Sequence, residues 1–155
     1  MRPAGALALA GLALAALSLA ACGSRLPKGV NPERLDEAVS DAIGDPNTCV
    51  LIGREGSGKV IWRYNTHTAC ARSLPACDGP GARTVAALLK QTAADGRPRT
   101  LSCNSSADAS RGVGWASGVI AGRGLTYAAV MEGPRALPGR IMAEKLEGAF
   151  KDAGF

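Results

Sequence analysis

Apolar residues recur along the chain with two different periods, and these periods predict its secondary structure. After Asn31-Pro32-Glu33, which is typical of a helix start, they fall three or four positions apart as far as Gly44, which predicts an amphipathic helix. The same spacing predicts helices over 82–94 and 139–153. Runs rich in β-branched and aromatic residues predict strands over 48–54, 59–65, 99–104, 112–120 and 125–132.

The predicted order of elements is α-β-β-α-β-β-β-α. Gly56-Ser57 suits a two-residue type II′ turn between the first two strands, because Gly accepts a positive φ at its first central position. With Ile52 paired to Ile61 across this turn, both faces of the hairpin are apolar: Val50 and Ile52 on one, Leu51 and Trp62 on the other. A sheet with two apolar faces needs helices on both sides. The sequence therefore predicts an α+β fold, a single antiparallel five-stranded sheet with helices on both faces.

The glycines of the first turn also resemble a nucleotide-binding motif. Residues 53–60, GREGSGKV, are one residue short of the P-loop pattern G-x-x-x-x-G-K-[ST]. A P-loop requires a helix after its glycines to cradle phosphate, whereas Val60 begins a predicted strand and replaces the magnesium-binding Ser or Thr. We expect no nucleotide and no other cofactor.

The N-terminus predicts export and lipid anchoring. Residues 1–21 carry one charge, Arg2, and then an apolar run that ends in small residues, which is typical of a secretory signal. Leu19-Ala20-Ala21-Cys22 then resembles the lipobox of bacterial lipoproteins. That resemblance implies that Cys22 is acylated with lipid, palmitate included, and becomes the first residue of the mature protein.

The lipobox divides the chain into a signal peptide (1–21), a lipidated tether (22–30) and one globular domain (31–155). An uncleaved membrane helix from Ala4 to Ala21 is the alternative, although 18 Ala-rich residues are marginal for spanning a bilayer. Gly23, in place of the Asp that retains Gram-negative lipoproteins at the inner membrane, favours the outer membrane. We expect the domain to face the periplasm.

The charge of the mature chain excludes a nucleic-acid surface. Of 18 Lys and Arg only Arg2 lies in the signal, so 17 basic and 13 acidic residues remain, a net charge of +4. The basic residues are scattered, and the whole chain has two Trp, two Tyr and two Phe, too few for a base-stacking platform. We expect no nucleic-acid partner.

Four cysteines remain after Cys22: Cys49, Cys70, Cys77 and Cys103. An even number in an exported chain predicts two disulfides. The alternative is a zinc site of His67, Cys70, Cys77 and Cys103, but the spacing His-x-x-Cys-x6-Cys is not a usual one. A redox C-x-x-C pair does not occur. We expect no metal.

Several short motifs resemble the α/β domain of serine β-lactamases and penicillin-binding proteins, the class D enzymes most of all. GVGWASG, residues 112–118, is similar to the G-W-x-x-G strand of that family, and Leu137-Pro138-Gly139 followed by a C-terminal helix continues the likeness. Arg72-Ser73-Leu74-Pro75-Ala76-Cys77 is similar to the approach to the nucleophile, R-x-x-P-A-S-x-x-K. Profilin-like and roadblock-like domains share the same strand order.

The catalytic groups of that family are missing from the sequence. Cys77 stands in place of the nucleophilic Ser, Pro80 replaces the activating Lys, and no Lys-Thr-Gly lies near Cys103. In the family those two elements face each other across the active site. The resemblance therefore implies a Cys77–Cys103 disulfide, which leaves Cys49 and Cys70 as the second pair.

These observations favour a pseudoenzyme, a non-catalytic envelope lipoprotein with a small membrane-tethered domain for interaction or structure. Its expected partners are the membrane, through Cys22, and an envelope protein or peptidoglycan. A ligand-binding remnant that recognises peptidoglycan peptides is one alternative. A thiol-dependent enzyme that uses Cys77 is another.

Overall fold

The computed structural model describes residues 26–155. Its helices are α1 (Pro32–Ile43), α2 (His67–Cys70), α3 (Val85–Asp95) and α4 (Gly139–Asp152). Its strands are β1 (Thr48–Arg54), β2 (Val60–Tyr64), β3 (Leu74–Pro75), β4 (Ala82–Arg83), β5 (Arg99–Asn104), β6 (Gly112–Ile120) and β7 (Leu125–Gly133).

The predicted fold class is confirmed. A five-stranded sheet has the order β2-β1-β7-β6-β5, and all its neighbouring strands are antiparallel. The short strands β3 and β4 form a separate two-stranded ribbon. Neither this ribbon nor α2 was predicted, because each is only two to four residues long.

Both faces of the sheet are buried under helices, as the two-sided apolar pattern predicts. On one face, termed the α1/α4 face, the core includes Leu35, Val39, Val50, Ile52, Met142 and Leu146. On the other, termed the α3 face, it includes Cys49, Leu51, Leu88, Leu89, Trp115 and Val130. Strands β1, β6 and β7 supply side chains to both cores.

The pairing of β1 with β2 differs from the prediction. Ile52 pairs with Trp62 and not with Ile61, because the register shifts at an irregularity between Ile52 and Gly53. Directly paired residues lie on the same face of a sheet. Trp62 therefore packs with Ile52 on the α1/α4 face, and its predicted place beside Leu51 is wrong.

The turn between these strands is also longer than predicted. Residues 55–59 form it, and the Gly58 amide donates to the Arg54 carbonyl at 2.9 Å. Gly56 has a φ of +76°, in keeping with the need for glycine there. The longer loop accommodates the register shift.

Helix α3 begins at Val85, three residues later than predicted. The Thr84 side chain caps it by accepting a hydrogen bond from the Ala87 amide at 3.2 Å. Ala82 is instead paired with Pro75 in the ribbon. The tertiary pairing thus competes successfully with the helical propensity of Ala82.

Both long hairpins turn at the same end of the sheet. Arg54 pairs with Leu125, and the Glu55 amide donates to the Gly124 carbonyl at 3.0 Å. This end, with turns 55–59 and 121–124, is termed the hairpin end. The opposite end, termed the far end, carries the loop 105–111 and Glu132. Within residues 26–155, none of the helices combines the length and the apolar character needed to cross a membrane.

Candidate functional site

The residues that the sequence singled out lie mostly in the connecting segment, residues 65–84, which joins β2 to α3 and contains α2 and the ribbon. Covalent bonds, hydrogen bonds and ion pairs tie this segment to the sheet. Two of the ties are disulfides, so the prediction of two disulfides is confirmed.

The first tie joins the ribbon to the edge of the sheet. Cys77, just after β3, forms a disulfide with Cys103 in β5, and their Cα atoms are 5.5 Å apart. Cys77 has a φ of +64°, a conformation that non-glycine residues seldom adopt. Its sulfur is bonded to Cys103 and so is not a thiolate at the place where the resemblance puts a nucleophile.

The second disulfide is more buried than the first. Cys49 in β1 is fully buried, Cys70 at the end of α2 is 8% exposed, and their Cα atoms are 5.2 Å apart. The bond packs in the core of the α3 face beside Leu51 and Leu74. It fixes α2 against the central strands.

These disulfides use up the thiols of the alternative zinc site. Zinc requires deprotonated cysteine sulfur, and Cys70, Cys77 and Cys103 are all disulfide-bonded. The fourth residue of that set, His67, is exposed and has its ring nitrogens 2.9 and 3.0 Å from Nη1 of Arg63. His67 thus belongs to a surface contact between α2 and β2.

A hydrogen bond from β6 holds the β3–β4 ribbon against the sheet. The indole Nε1 of Trp115, a fully buried side chain in β6, donates to the carbonyl oxygen of Pro75 at 2.8 Å. A buried indole N–H needs such a partner. The tryptophan of the G-W motif therefore holds the segment that precedes Cys77.

Gly114 in β6 and Gly139 at the start of α4 allow the segment before α4 to pack closely on the sheet. A Cβ on Gly139, at the start of α4, would overlap the carbonyl oxygen of Trp115 and lie 2.6 Å from that of Leu101. A Cβ on Gly114 would overlap the carbonyl oxygen of Leu137. These residues are glycine because backbone packs directly on backbone, which requires no catalytic role for either motif.

A buried carboxylate at the far end joins three segments. Glu132, 4% exposed, accepts from Arg111 Nε at 2.8 Å and Arg111 Nη2 at 3.0 Å. Arg72 Nη2 in the connecting segment donates to its Oε2 at 2.7 Å, and Ser105 Oγ donates to its Oε1 at 2.8 Å. The cluster fixes the connecting segment and loop 105–111 to β7.

These donors keep Glu132 ionised. The hydrogen bonds from Arg111 above all, and those from Arg72 and Ser105, lower the pKa of Glu132 to about 2, although burial acts in the opposite direction. A carboxyl with such a pKa is a poor general acid or base near neutral pH. Its role in this geometry is to hold the two arginines.

A shallow recess of about 290 Å³ lies beside Cys77, between the ribbon and α3. Its lining includes Ala76, Asp78, Pro80, Arg83, Ala87 and Gln91. Asp78 accepts from Arg83 Nη2, and this pair lowers the pKa of Asp78. Arg83 Nη1 is buried and has no hydrogen-bond partner among the described residues.

The structure therefore brings Cys77 and Cys103 together, and likewise Cys49 and Cys70, while Cys22 lies outside the described residues. Sequence reasoning missed the Glu132 cluster. Its signal was a single acidic residue at the end of the apolar run Tyr127–Met131, since a carboxylate continuing a buried strand needs cationic partners.

Taken together, the two disulfides, the hydrogen bonds and the ion pairs hold the connecting segment against the α3 face of the sheet. Within residues 26–155, this segment offers neither a thiolate at Cys77 nor a lysine in the recess beside it.

When the chain was compared with known proteins, no family model, curated protein or solved structure matched it.

Proposed function

We propose that the chain is a non-catalytic lipoprotein of the bacterial cell envelope, anchored by lipid on Cys22 and acting through a small periplasmic domain. The observation that carries the non-catalytic part is the Cys77–Cys103 disulfide, which occupies the nucleophile position of the resemblance. In this proposal the domain serves interaction or structure at the outer membrane.

The cysteine pairing supports export. Structural disulfides form and persist in oxidising compartments such as the periplasm. The Cys49–Cys70 bond lies in the core, where it is part of the folded structure. This location agrees with a secretory signal at residues 1–21.

The anchor is tested by the processing of Cys22. We expect the wild-type protein to incorporate a palmitate analogue and to partition into detergent. Cys22→Ser should accumulate as a larger, unlabelled precursor, because acylation and cleavage both require the thiol. Ser24→Ala, two residues away in the same segment, is the matched control and should be processed normally. Equal processing of Cys22→Ser and Ser24→Ala would refute the anchor.

The disulfide argues against the alternative thiol enzyme. A sulfur bonded to Cys103 cannot attack a substrate until it is reduced. We expect the mature protein to leave a chromogenic cephalosporin unhydrolysed without a reducing agent. Hydrolysis that disappears in Cys77→Ala would overturn the non-catalytic proposal.

The free edge of β5 favours a second candidate function, the binding of peptidoglycan peptides. No strand of the described chain pairs with the outer side of β5, and every second residue of this strand, Thr100 and Asn104 included, is exposed. An extended peptide can add to such an edge as a further strand. Saturable binding of a muropeptide, with none of the peptide-free disaccharide, would support this function. Equal binding of both would refute it.

A further inference from the structure

The polypeptide joins the domain at the hairpin end. A Cβ on Gly154, just after α4, would lie 2.9 Å from the carbonyl oxygen of Gly29. Arg123, in the turn between β6 and β7, donates from Nη2 to the carbonyl oxygen of Gly154 at 3.0 Å. Residue 29, the end of α4 and this turn are therefore neighbours.

The chain between Cys22 and Leu26 is short. Four peptide units span at most about 14 Å. The nine residues of β6 extend about 30 Å from the far end to the hairpin end. A lipid on Cys22 would therefore keep the hairpin end near the bilayer and leave the far end distant from it.

The side chains at the hairpin end suit a bilayer surface that carries negative charge. Its two turns and their flanks expose Arg54, Lys59 and Arg123 against a single acidic residue, Glu55. Each Lys or Arg near an anionic lipid surface contributes on the order of 1 kcal/mol of attraction. Electrostatic attraction therefore acts in the same direction as the tether.

Apolar surface is concentrated at the same end. The large hydrophobic side chains that are exposed in the described chain are Val60, 44% exposed and directly after turn 55–59, and Val119, 41% exposed and two residues before turn 121–124. Val119 borders an open groove of about 360 Å³, whose lining includes the aromatic residues Tyr127, Phe150 and Phe155 and one charge of each sign, Glu147 and Lys151. The two turns and the residues beside them thus combine apolar and cationic side chains, as surfaces at a lipid interface do.

We propose that the hairpin end is the membrane-facing surface of the domain, and that its partner is the headgroup layer of anionic phospholipid. The far end, with the Glu132 cluster and loop 105–111, then faces away from the bilayer. This inference rests on the proposed lipid anchor at Cys22. It adds the orientation of the domain and the lipid class that it contacts.

Photo-crosslinking from two matched alanines tests the orientation. Ala121 and Ala107 are both exposed and lie in loops between consecutive strands, the first at the hairpin end and the second at the far end. Each is replaced by a benzoylphenylalanine in the full-length, processed protein. The variants are reconstituted in phosphatidylethanolamine vesicles with phosphatidylglycerol. We expect lipid adducts at position 121 and few at position 107.

A charge reversal tests the lipid class. Lys59→Glu should lower lipid crosslinking at position 121 by at least about five-fold on these vesicles, because it removes one headgroup attraction and adds a repulsion. Lys145→Glu, an exposed lysine of α4 away from both turns, is the control and should leave it unchanged. Equal effects of the two variants would refute the contact with anionic lipid.

The outcomes separate this inference from the proposed function. If the protein floats with vesicles but both positions crosslink equally to lipid, the anchor stands and the orientation is wrong. If the processed protein does not float at all, the anchor fails and the orientation fails with it.

Discussion

The carboxylate of Glu132 and the guanidinium of Arg111 face each other in a two-point hydrogen bond at the far end, with distances of 2.8 and 3.0 Å. Arg72, 60 residues away in sequence, binds the same carboxylate. One side chain thereby holds two separate loops against β7.

This cluster predicts a specific loss of stability in acid. The pKa of Glu132 is lowered from 4.5 to about 2 in the folded protein, so the unfolded state takes up the proton first as the pH falls. The stabilisation by Glu132 is fully present above about pH 4.5 and is lost as the pH falls toward 2. Glu132→Gln should therefore be less stable at neutral pH, by about 1–3 kcal/mol, and should lose less stability on acidification.

Denaturant unfolding of both proteins between pH 2 and 7 measures this difference. Glu144→Gln is the control, because Glu144 is 59% exposed and pairs with Arg140 on the surface of α4. We expect that control to change the free energy of unfolding by less than about 0.5 kcal/mol. If the free energies of unfolding of wild type and Glu132→Gln differ by the same amount across the whole pH range, ionised Glu132 is not the source of the stabilisation.

Two glycines of α4 should respond in opposite ways to the same substitution. Gly139→Ala should destabilise the protein by about 1–3 kcal/mol, because the added Cβ overlaps the backbone of β5 and β6. Gly148→Ala should stabilise it by about 0.5–1 kcal/mol, because nothing lies within 4 Å of a Cβ there and Ala favours the helix. Thermal unfolding measures both. Equal shifts of the melting temperature in the two variants would show that Gly139 does not pack closely on the backbone of β5 and β6.

Trp115→Phe should loosen the connecting segment selectively. The substitution removes the indole donor and leaves the Pro75 carbonyl without it, at a cost of about 1–3 kcal/mol. Amide hydrogen exchange should accelerate in residues 74–83. Trp62→Phe is the matched control, since Trp62 is 8% exposed on the opposite face. If both variants accelerate exchange there equally, the hydrogen bond does not hold the ribbon.

The sequence predicted the regular elements best where the pattern was long. The bounds of β5 and β6 match their predictions to the residue, because each strand is bounded by turn residues. The irregularity at Gly53 was not predictable, since it depends on how the 55–59 turn packs. The ribbon was missed because a two-residue strand has no period to detect.

The candidate site was only partly predictable for a different reason. The number of disulfides follows from the cysteine count, but the pairing came from a family resemblance and not from the pattern itself. The Glu132 cluster joins residues 21 to 60 positions apart, and no local pattern encodes those contacts. Cys22 stays a prediction, since it lies outside the described residues.

The Cys77–Cys103 disulfide predicts both the stability and the reactivity of the site. It closes a loop with a sequence separation of 26, so its removal in Cys77→Ala/Cys103→Ala should cost about 3 kcal/mol on the chain-entropy account. Without a reducing agent, an alkylating reagent should not modify Cys77 in the native protein. In Cys103→Ala the same reagent should modify it, because Cys77 is partly exposed, and this variant therefore proves that the reagent has access. Peptide mapping that finds Cys77 alkylated equally in both proteins would mean that its sulfur is free, and the thiol enzyme would then replace the pseudoenzyme as the better hypothesis.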